Sequence, residues 1–307
     1  MNINWYPGHM HKARKAILNT LNAIDVLIEL VDARVPFSSQ NPVIAQWRES
    51  KPTIVILNKT DLADPEYSQA WQTHMETQAN IKTLSYHKDD KNRLQQISEL
   101  CYKLCPQKAD SFKAINGMIV GIPNVGKSTL INALAGKVMA KVGNEPAVTK
   151  RQQKVYLDAG NIILHDTPGL LWPKFENPHS GYRLGIIGSI KNTAIDYQDI
   201  GFYAAEYLLD AYPGLLDKYY QLETIPSSAL GAIEAIGAKR GARQGGGRIN
   251  LHKACEILVH NIRAGDLGGL CFETPTMIQA ELAQAEAKRR AKQQQKAERK
   301  SRKKTAF

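Results

Sequence analysis

The sequence predicts an α/β fold, in which a doubly wound and mostly parallel sheet is followed by a small all-helical domain and a basic tail. Short apolar runs alternate with helical segments in the first half of the chain. From about residue 175 the apolar spacing becomes helical. The segment 287–307 holds ten Lys or Arg and one Glu, which is +9 of the net charge of +11. We therefore expect three parts, at 1–175, 176–276 and 277–307.

Six short apolar runs have the character of buried strands. They lie at 26–31, 53–57, 81–84, 118–120, 154–157 and 162–164. Residues 159–161 are expected to join the last two runs as a hairpin turn, and a short helix is expected at 11–21. The helix after the fourth run should stop at Gly136, because glycine suits the end of a helix.

Helical spacing predicts two amphipathic helices in the second half. One covers 200–208 and ends before Pro213-Gly214. The other covers 251–262, with Asn250 as N-cap and Gly265 beyond its end. The basic, Gly-rich segment 239–248 must be a loop, and phosphate binding and simple flexibility fit it equally well. The tail from 277 should form a helix without an apolar face, ordered only by an acidic partner.

Composition restricts location and partners. Hydrophobic residues make up 43% of the chain and charged residues 22%, as in soluble globular proteins. No apolar run approaches the roughly 20 residues that span a bilayer, and the N-terminus lacks the layout of a signal peptide. The four cysteines are too scattered for a disulfide framework, and Cys101 and Cys105 fit one helix face better than a metal site. We expect a cytoplasmic protein with no membrane partner, whose tail seeks a polyanion.

A phosphate-binding loop lies between the fourth predicted strand and a helix. Its pattern is Gly121-x4-Gly126-Lys127-Ser128. Glycines allow backbone N–H groups to converge on phosphate oxygens, Lys127 neutralises the β- and γ-phosphates, and the Ser128 hydroxyl binds Mg²⁺. The helix N-terminus adds its dipole. The predicted contacts also include Asn124, Val125 and Thr129.

A second motif, Asp166-Thr167-Pro168-Gly169, follows the sixth predicted strand, 39 residues after Lys127. Asp166 is placed to hold Mg²⁺ through a water, and the Gly169 N–H is placed to sense the γ-phosphate. His165 precedes the motif on a strand with alternate buried residues, so we interpret it as a packed histidine. Together with the phosphate loop, this motif indicates a nucleotide triphosphatase.

The third motif, Asn58-Lys59-Thr60-Asp61, selects guanine. The Asp61 carboxylate accepts from N1–H and N2–H₂ of guanine, whereas adenine presents an acceptor that would repel it. Asn58 reaches the other edge of the base and the Lys59 stem covers the ring. In most guanine-nucleotide switches the phosphate loop comes first. The inverted order here predicts a circularly permuted P-loop GTPase domain.

The residues for switching and hydrolysis are less clearly marked in the sequence than the three nucleotide-binding motifs. Thr149 lies between the phosphate loop and the Asp166 strand, where a switch threonine completes the Mg²⁺ shell. Many GTPases place a water-orienting glutamine directly after the Asp-x-x-Gly motif, but this chain has Leu170. Either another group, for which His9 in its Pro-Gly turn is the candidate, replaces the glutamine, or hydrolysis is slow until a partner contributes.

The chain resembles the bacterial ribosome biogenesis GTPase A family (RbgA, also YlqF), within the circularly permuted GTPases. Besides the nucleotide motifs, the matching residues are Trp5-Tyr6-Pro7-Gly8-His9-Met10, Asp32-Ala33-Arg34-Val35-Pro36 and Phe272-Glu273-x-Pro275. The resemblance covers nearly the whole chain. It implies GTP hydrolysis coupled to late assembly of the large ribosomal subunit, and a helical RNA-binding domain at 176–276. It also implies a hydrolytic role for His9 and an activating K⁺ placed by Asn124.

Two positions depart from the family pattern. The switch segment has Ala147 where the family has glycine, and alanine lacks the φ range of glycine. The guanine-supporting loop reads Ser85-Tyr86 in place of Ser-Ala, although the Ser85 backbone is still expected at the base.

The sequence thus predicts a monomeric enzyme that uses GTP and Mg²⁺, binds the large ribosomal subunit and its rRNA, and binds no DNA. Two alternatives stay open. One is a non-catalytic guanine-nucleotide sensor, which Leu170 permits. The other is an RNA-associated GTPase that acts in RNA modification or trafficking.

Overall fold

A computed structural model gives the fold for residues 6–48, 50–111, 113–137, 153–157, 161–224 and 226–305. Within these ranges the side chains of His9, Ala109, Gln153 and 297–305 are not described. The predicted turn at 159–161 lies partly outside the described residues, and the switch segment with Ala147 and Thr149 lies wholly outside them.

The first part of the chain alternates strands with helices. In order the elements are α1 (Gly8–Leu21), β1 (Val26–Asp32), α2 (Pro42–Arg48), β2 (Thr53–Asn58), α3 (Pro65–Met75), β3 (Ile81–Tyr86), α4 (Asn92–Leu104), α5 (Pro106–Asp110), β4 (Ile115–Gly121), α6 (Lys127–Ala135), β5 (Gln153–Leu157) and β6 (Ile162–Asp166). All six predicted strands are confirmed, each extended at one or both ends. The helix predicted at 11–21 begins earlier, at Gly8.

The strands form one six-stranded sheet in the order β3-β2-β1-β4-β6-β5. Every described pairing is parallel except that of β5 with β6. All positions of β1 and β2 are buried, as expected for a sheet covered on both faces. The fold class is therefore confirmed. Because β1 and β4 are neighbours from which the chain winds outward in both directions, their carboxyl ends form a switch point suited to a ligand.

The second part of the described chain is helical. Its helices are α7 (Ser180–Ile186), α8 (Tyr197–Ala211), α9 (Leu215–Tyr220), α10 (Ala229–Lys239), α11 (Leu251–Ala264) and α12 (Pro275–Thr305). The predicted cap of α11 is confirmed, since Asn250 Oδ1 accepts the Lys253 N–H at 3.0 Å, and Gly265 ends the helix with φ +84°. Helices α8 and α11 pack so closely at Gly201 that a Cβ there would collide with Cys255.

One prediction for the tail is wrong. Helix α12 does have an apolar face in its first turns, where Ile278 is only 3% exposed and packs with Trp71 and Met75 of α3. Leu282, four residues later on the same face, joins this cluster. The face escaped sequence analysis because two apolar side chains in a polar helix give a weak pattern. Basic residues 288–296 of the helix are exposed.

The cysteines serve packing. All four are buried and carry free thiols, and no cluster of potential metal ligands occurs among the described residues. His165 is buried as interpreted, with Nε2 3.4 Å from Asn116 Oδ1. In the described part of the chain no helix has the length and apolarity to cross a membrane.

Candidate nucleotide-binding site

Three motifs that are distant in sequence meet at the carboxyl edge of the sheet. The phosphate loop continues from the end of β4, Asn58 ends β2 and Lys59 follows it, and Asp166 ends β6. Asn58 Nδ2 donates to the Val125 carbonyl at 2.7 Å. Lys59 Nζ donates to the carbonyl of Asn124 at 2.9 Å. Two side chains of the guanine motif thus bind two successive carbonyls of the phosphate loop, so the structure brings both predicted motifs into one site.

The phosphate loop needs glycine at two positions. Gly121 has φ +152° and Gly126 has φ +103°, values that side chains rarely adopt. A Cβ at Gly121 would lie 2.6 Å from the Leu30 carbonyl oxygen, and one at Gly126 would collide with Asn58 Nδ2. The loop backbone is therefore packed directly against β1 and the guanine motif. The loop leads directly into the N-terminus of α6, the end of a helix that attracts phosphate.

Lys127 lies inside the loop that it is expected to serve. It is 6% exposed, and its Nζ donates to the carbonyls of Gly121 and Ile122 at 3.0 and 2.8 Å. Burial lowers the pKa of Lys127 to about 8, against the opposing charge of Asp166. A buried cation of lowered pKa is stabilised when an anion approaches it. The arrangement is suited to neutralising phosphate charge.

Asp166 is the strongest indication of a metal site. The residue is 0% exposed, and neither carboxylate oxygen meets hydrogen-bond geometry with a partner among the described residues. Burial raises the pKa of Asp166 to about 6, offset only in part by Lys127 and the Thr167 N–H. A buried carboxylate whose charge is compensated only in part suits Mg²⁺ and its bound water. Ser128, half-buried in the first turn of α6, is the second oxygen donor that fits this ion.

Gly169 and Leu170 connect the Asp166 strand to the phosphate loop. A Cβ at Gly169 would lie 2.8 Å from Pro123 Cα, so its backbone packs on the loop. The Leu170 N–H donates to the Gly121 carbonyl at 3.2 Å, and the Leu170 carbonyl accepts from Asn41 Nδ2 at 2.9 Å. The Leu170 side chain is 2% exposed. It belongs to the core, which agrees with the prediction that it does not orient water.

The guanine side of the site is more open. Asp61 is exposed on a 3₁₀ turn, Thr60–Leu62, which follows Lys59 with its left-handed φ of +63°. Thr60 Oγ1 donates to the Tyr86 carbonyl at 3.2 Å, which joins the ends of β2 and β3. Ser85 Oγ donates to Gln72 Oε1 of α3 at 2.9 Å. The Ser85 side chain is therefore engaged with α3, and a backbone contact to guanine stays a prediction.

Sequence reasoning did not assign a role to Asp32 and Arg34, which end and follow β1. Their side chains form a buried bidentate ion pair, with Nε–Oδ1 at 2.9 Å and Nη2–Oδ2 at 2.8 Å. Lys59 Nζ also reaches Asp32 Oδ2, at 2.9 Å. Although burial alone would raise it, the pKa of Asp32 is lowered by Arg34 and Lys59. The sequence did contain a sign of this ion pair, because an Asp and an Arg stand two residues apart at the end of a buried strand.

The remaining predicted residues have mixed outcomes. Asn124 Nδ2 donates to the Gly188 carbonyl of the helical part at 2.8 Å, a contact that sequence reasoning did not foresee. Val125 is buried in the loop and Thr129 lies in the first turn of α6. The backbone of His9 lies in the first turn of α1, and its side chain is outside the described residues, as is Thr149.

Comparisons with known proteins agree with this geometry. A family profile described as "50S ribosome-binding GTPase" matches residues 116–201. The ribosome biogenesis GTPase A of Bacillus pumilus (strain SAFR-032) is 44% identical over 282 residues, covering 90% of this chain and 99% of the relative. That of Thermotoga maritima is 30% identical over 276 residues, covering 90% and 96%. The crystal structure of GNP-bound YlqF from T. maritima superposes with a TM-score of 0.61 at 27% identity, covering 86% of this chain and 98% of that chain.

The permuted α/β fold, the phosphate loop and the guanine motif define a GTPase, an enzyme that hydrolyses GTP. Within this class, the sequence identity to the relatives and the nearly complete coverage of both chains decide the family. The chain belongs to the ribosome biogenesis GTPase A family.

Proposed function

We propose that this GTPase binds the pre-ribosomal large subunit through rRNA and couples GTP binding and hydrolysis to a late assembly step, acting as a monomer in the cytoplasm. The observation that carries the proposal is a guanine-nucleotide site joined by buried polar contacts to a helical part that carries exposed basic residues. The names of the relatives, which refer to ribosome biogenesis, support it. So does the description of the matching profile, which refers to 50S binding.

The basic surface supports an RNA partner. Residues 239–248, which begin at the last residue of α10, expose several cations, and α12 exposes more. They are Lys239, Arg240, Arg243, Arg248, Lys288, Arg289, Arg290, Lys292 and Lys296. Phosphate contacts by such residues release counterions and supply sequence-independent affinity. We assign RNA binding to the domain 176–276 and additional contact to the tail 277–307, with the nucleotide site in 1–175.

Coupling between the two parts would run through a buried polar network beyond Gly169. Asn177 Nδ2 donates to Glu281 Oε2 at 2.6 Å, and the Arg183 guanidinium binds both oxygens of Glu281 at 2.6 and 2.8 Å. Ser180 and Ser38 share a hydroxyl hydrogen bond of 2.9 Å. These contacts join the segment after the Asp166 motif to α12 and to the loop after β1. A change at the γ-phosphate therefore has a short route into the RNA-binding surface.

Each residue of the site has a separate role in GTP hydrolysis. Ser128 and Asp166, with Thr149 when GTP is bound, would hold Mg²⁺, and the bound ion would neutralise phosphate charge. Lys127 and the loop N–H groups orient the phosphates, and Asp61 with Asn58 selects guanine. His9 supplies the water-orienting role that the buried Leu170 does not. Asn124 would help to place K⁺. Turnover is slow until the ribosome stimulates it.

Multiple-turnover GTPase assays with and without purified large subunits test the proposal. We expect GTP hydrolysis to rise at least tenfold with large subunits and not with small subunits, and we expect His9→Ala to lose the stimulated rate with unchanged GTP affinity. Sedimentation with GTP, with GDP and at graded salt reports binding. Hydrolysis without stimulation, and no co-sedimentation with large subunits, would favour a role in RNA modification or trafficking and refute the proposal.

A further inference from the structure

The buried pair of Asp32 and Arg34 occupies a position that bears on nucleotide affinity. Lys59 Nζ bridges Asp32 Oδ2 and the Asn124 carbonyl, each at 2.9 Å. Arg34 binds both oxygens of the same Asp32 carboxylate. The path thus runs from Arg34 through Asp32 and Lys59 to the phosphate loop. We propose that Asp32 and Arg34 are positioning residues for guanine-nucleotide binding, because they hold Lys59 against the phosphate loop.

The geometry of Lys59 explains why it needs a tether. Its φ of +63° lies in the left-handed region, which a residue with a Cβ occupies only when its surroundings enforce it. Its side chain is 25% exposed, so solvent competes for the ammonium. Burial lowers the pKa of Lys59, and the charge of Asp32 is the largest influence that opposes this shift. Without the Asp32 carboxylate the ammonium would turn to water and the stem would leave the guanine side of the loop.

Arg34 fixes the direction in which Asp32 points. A carboxylate bound by one lysine alone rotates freely, whereas the planar guanidinium fork holds both oxygens in one plane. Oδ2 then faces Lys59 Nζ and Oδ1 accepts the Arg34 Nε–H and N–H, at 2.9 and 3.2 Å. The Asp32 N–H is held in turn by Ser39 Oγ at 3.0 Å.

Arg34 is itself held from the helical side. Its backbone carbonyl accepts the Phe272 N–H at 2.8 Å, and its Nη1 lies 3.5 Å from the carbonyl of Ile262 in α11. The Cys271 thiol contacts the Ala33 carbonyl at 3.7 Å. The ion pair therefore lies between the guanine motif and the helical part, and an ordinary surface ion pair would not have this position.

A double-mutant cycle on nucleotide affinity tests the proposal in the full-length protein. Arg34→Met should weaken GDP and GTP binding alike, by about tenfold, the loss typical of a charge-assisted hydrogen bond. In a Lys59→Met background the same change should weaken binding less than twofold, because the side chain through which it acts is gone. Titration with a fluorescent GDP analogue gives Kd, and the stoichiometry of the titration corrects for unfolded protein.

Arg183→Met is the matched control. Arg183 is another fully buried arginine bound by both oxygens of one carboxylate, that of Glu281. Arg183→Met should lower the stability of the protein and change its Kd for GDP by less than twofold relative to the unchanged protein. Arg34→Lys keeps a cation beside Asp32 but loses the fork, and should weaken binding about threefold. If Arg34→Met does not fold, the cycle is run with Arg34→Lys.

Two results would overturn the proposal. One is an unchanged Kd for Arg34→Met in the fraction that binds, which would make the pair merely structural. The other is equal weakening with and without Lys59, which would show that Arg34 acts by another route. Weakening of similar size in Arg183→Met would likewise attribute the effect to general loss of packing.

Discussion

Replacing Asp166 with Asn should stabilise the nucleotide-free protein, although the residue is central to the predicted Mg²⁺ site. The Asp166 carboxylate is buried, neither oxygen makes a hydrogen bond of good geometry among the described residues, and Lys127 and the Thr167 N–H compensate its charge only in part. Its pKa rises from 3.8 to about 6. At about 1.4 kcal/mol per unit this difference corresponds to about 3 kcal/mol against the folded state at neutral pH. The Asn amide retains a desolvation cost of about 1–2 kcal/mol, so we expect a net gain of about 1–2 kcal/mol.

The stability gained by Asp166→Asn should depend on pH, and the raised pKa of Asp166 sets the direction of that dependence. A carboxyl group with a raised pKa binds its proton more tightly when folded, so the cost of burying the carboxylate is complete above pH 6. The cost declines as the pH falls from 6 to 3.8 and is absent below that range. The advantage of Asp166→Asn over the unchanged protein should therefore be largest at pH 7–8 and disappear toward pH 4.

Urea unfolding with EDTA and without nucleotide, at pH 7.5 and pH 5, measures the difference. Asp32→Asn is the matched control, because Asp32 is equally buried but is held charged by Arg34 and Lys59. That change should destabilise the protein by about 3 kcal/mol, since it leaves the buried Arg34 and the partly buried Lys59 without a counter-charge. If Asp166→Asn were no more stable than the unchanged protein at pH 7.5, or if its advantage did not vary with pH, the interpretation of Asp166 as an unpaired buried carboxylate would be refuted.

Three further predictions concern ligand binding. Gly126→Ala should abolish GDP binding in calorimetry while the circular dichroism spectrum stays unchanged. Residue 126 has φ +103°, and an alanine Cβ there would collide with Asn58. Retained micromolar affinity for GDP would contradict this packing argument. Affinity for GDP should fall about threefold from pH 7.5 to 8.5 as Lys127, with its pKa of about 8, loses its proton, whereas Lys127→Arg should give a flat profile over the same interval. Deleting 287–307 should flatten the salt dependence of rRNA binding by at least two units of log–log slope, and an unchanged slope in filter binding would exclude the tail from phosphate contact.

Local patterns were sufficient for most of the fold. Buried strands are continuous apolar runs, so β1 and β2 were visible without tertiary information. The caps of α11 at Asn250 and Gly265 were visible because capping depends on neighbouring residues only. The apolar face of α12 at Ile278 was missed, because it depends on what α3 presents to it rather than on the composition of the helix.

In the candidate site, too, local sequence predicted some features and tertiary packing decided the others. The phosphate loop, the Asp166 motif and the guanine motif are short, because each binds its part of the ligand through adjacent residues, and their inverted order already indicated permutation. Only the tertiary structure brought Lys59 to Asp32 and the Asn124 carbonyl. It also joined Asn124 to Gly188 and Arg183 to Glu281, over separations of 64 and 98 residues. The sequence by itself determined the nucleotide chemistry of this protein; the packing of distant elements decided which charges hold that chemistry in place, because a buried charge is stabilised only by the neighbours that the fold supplies.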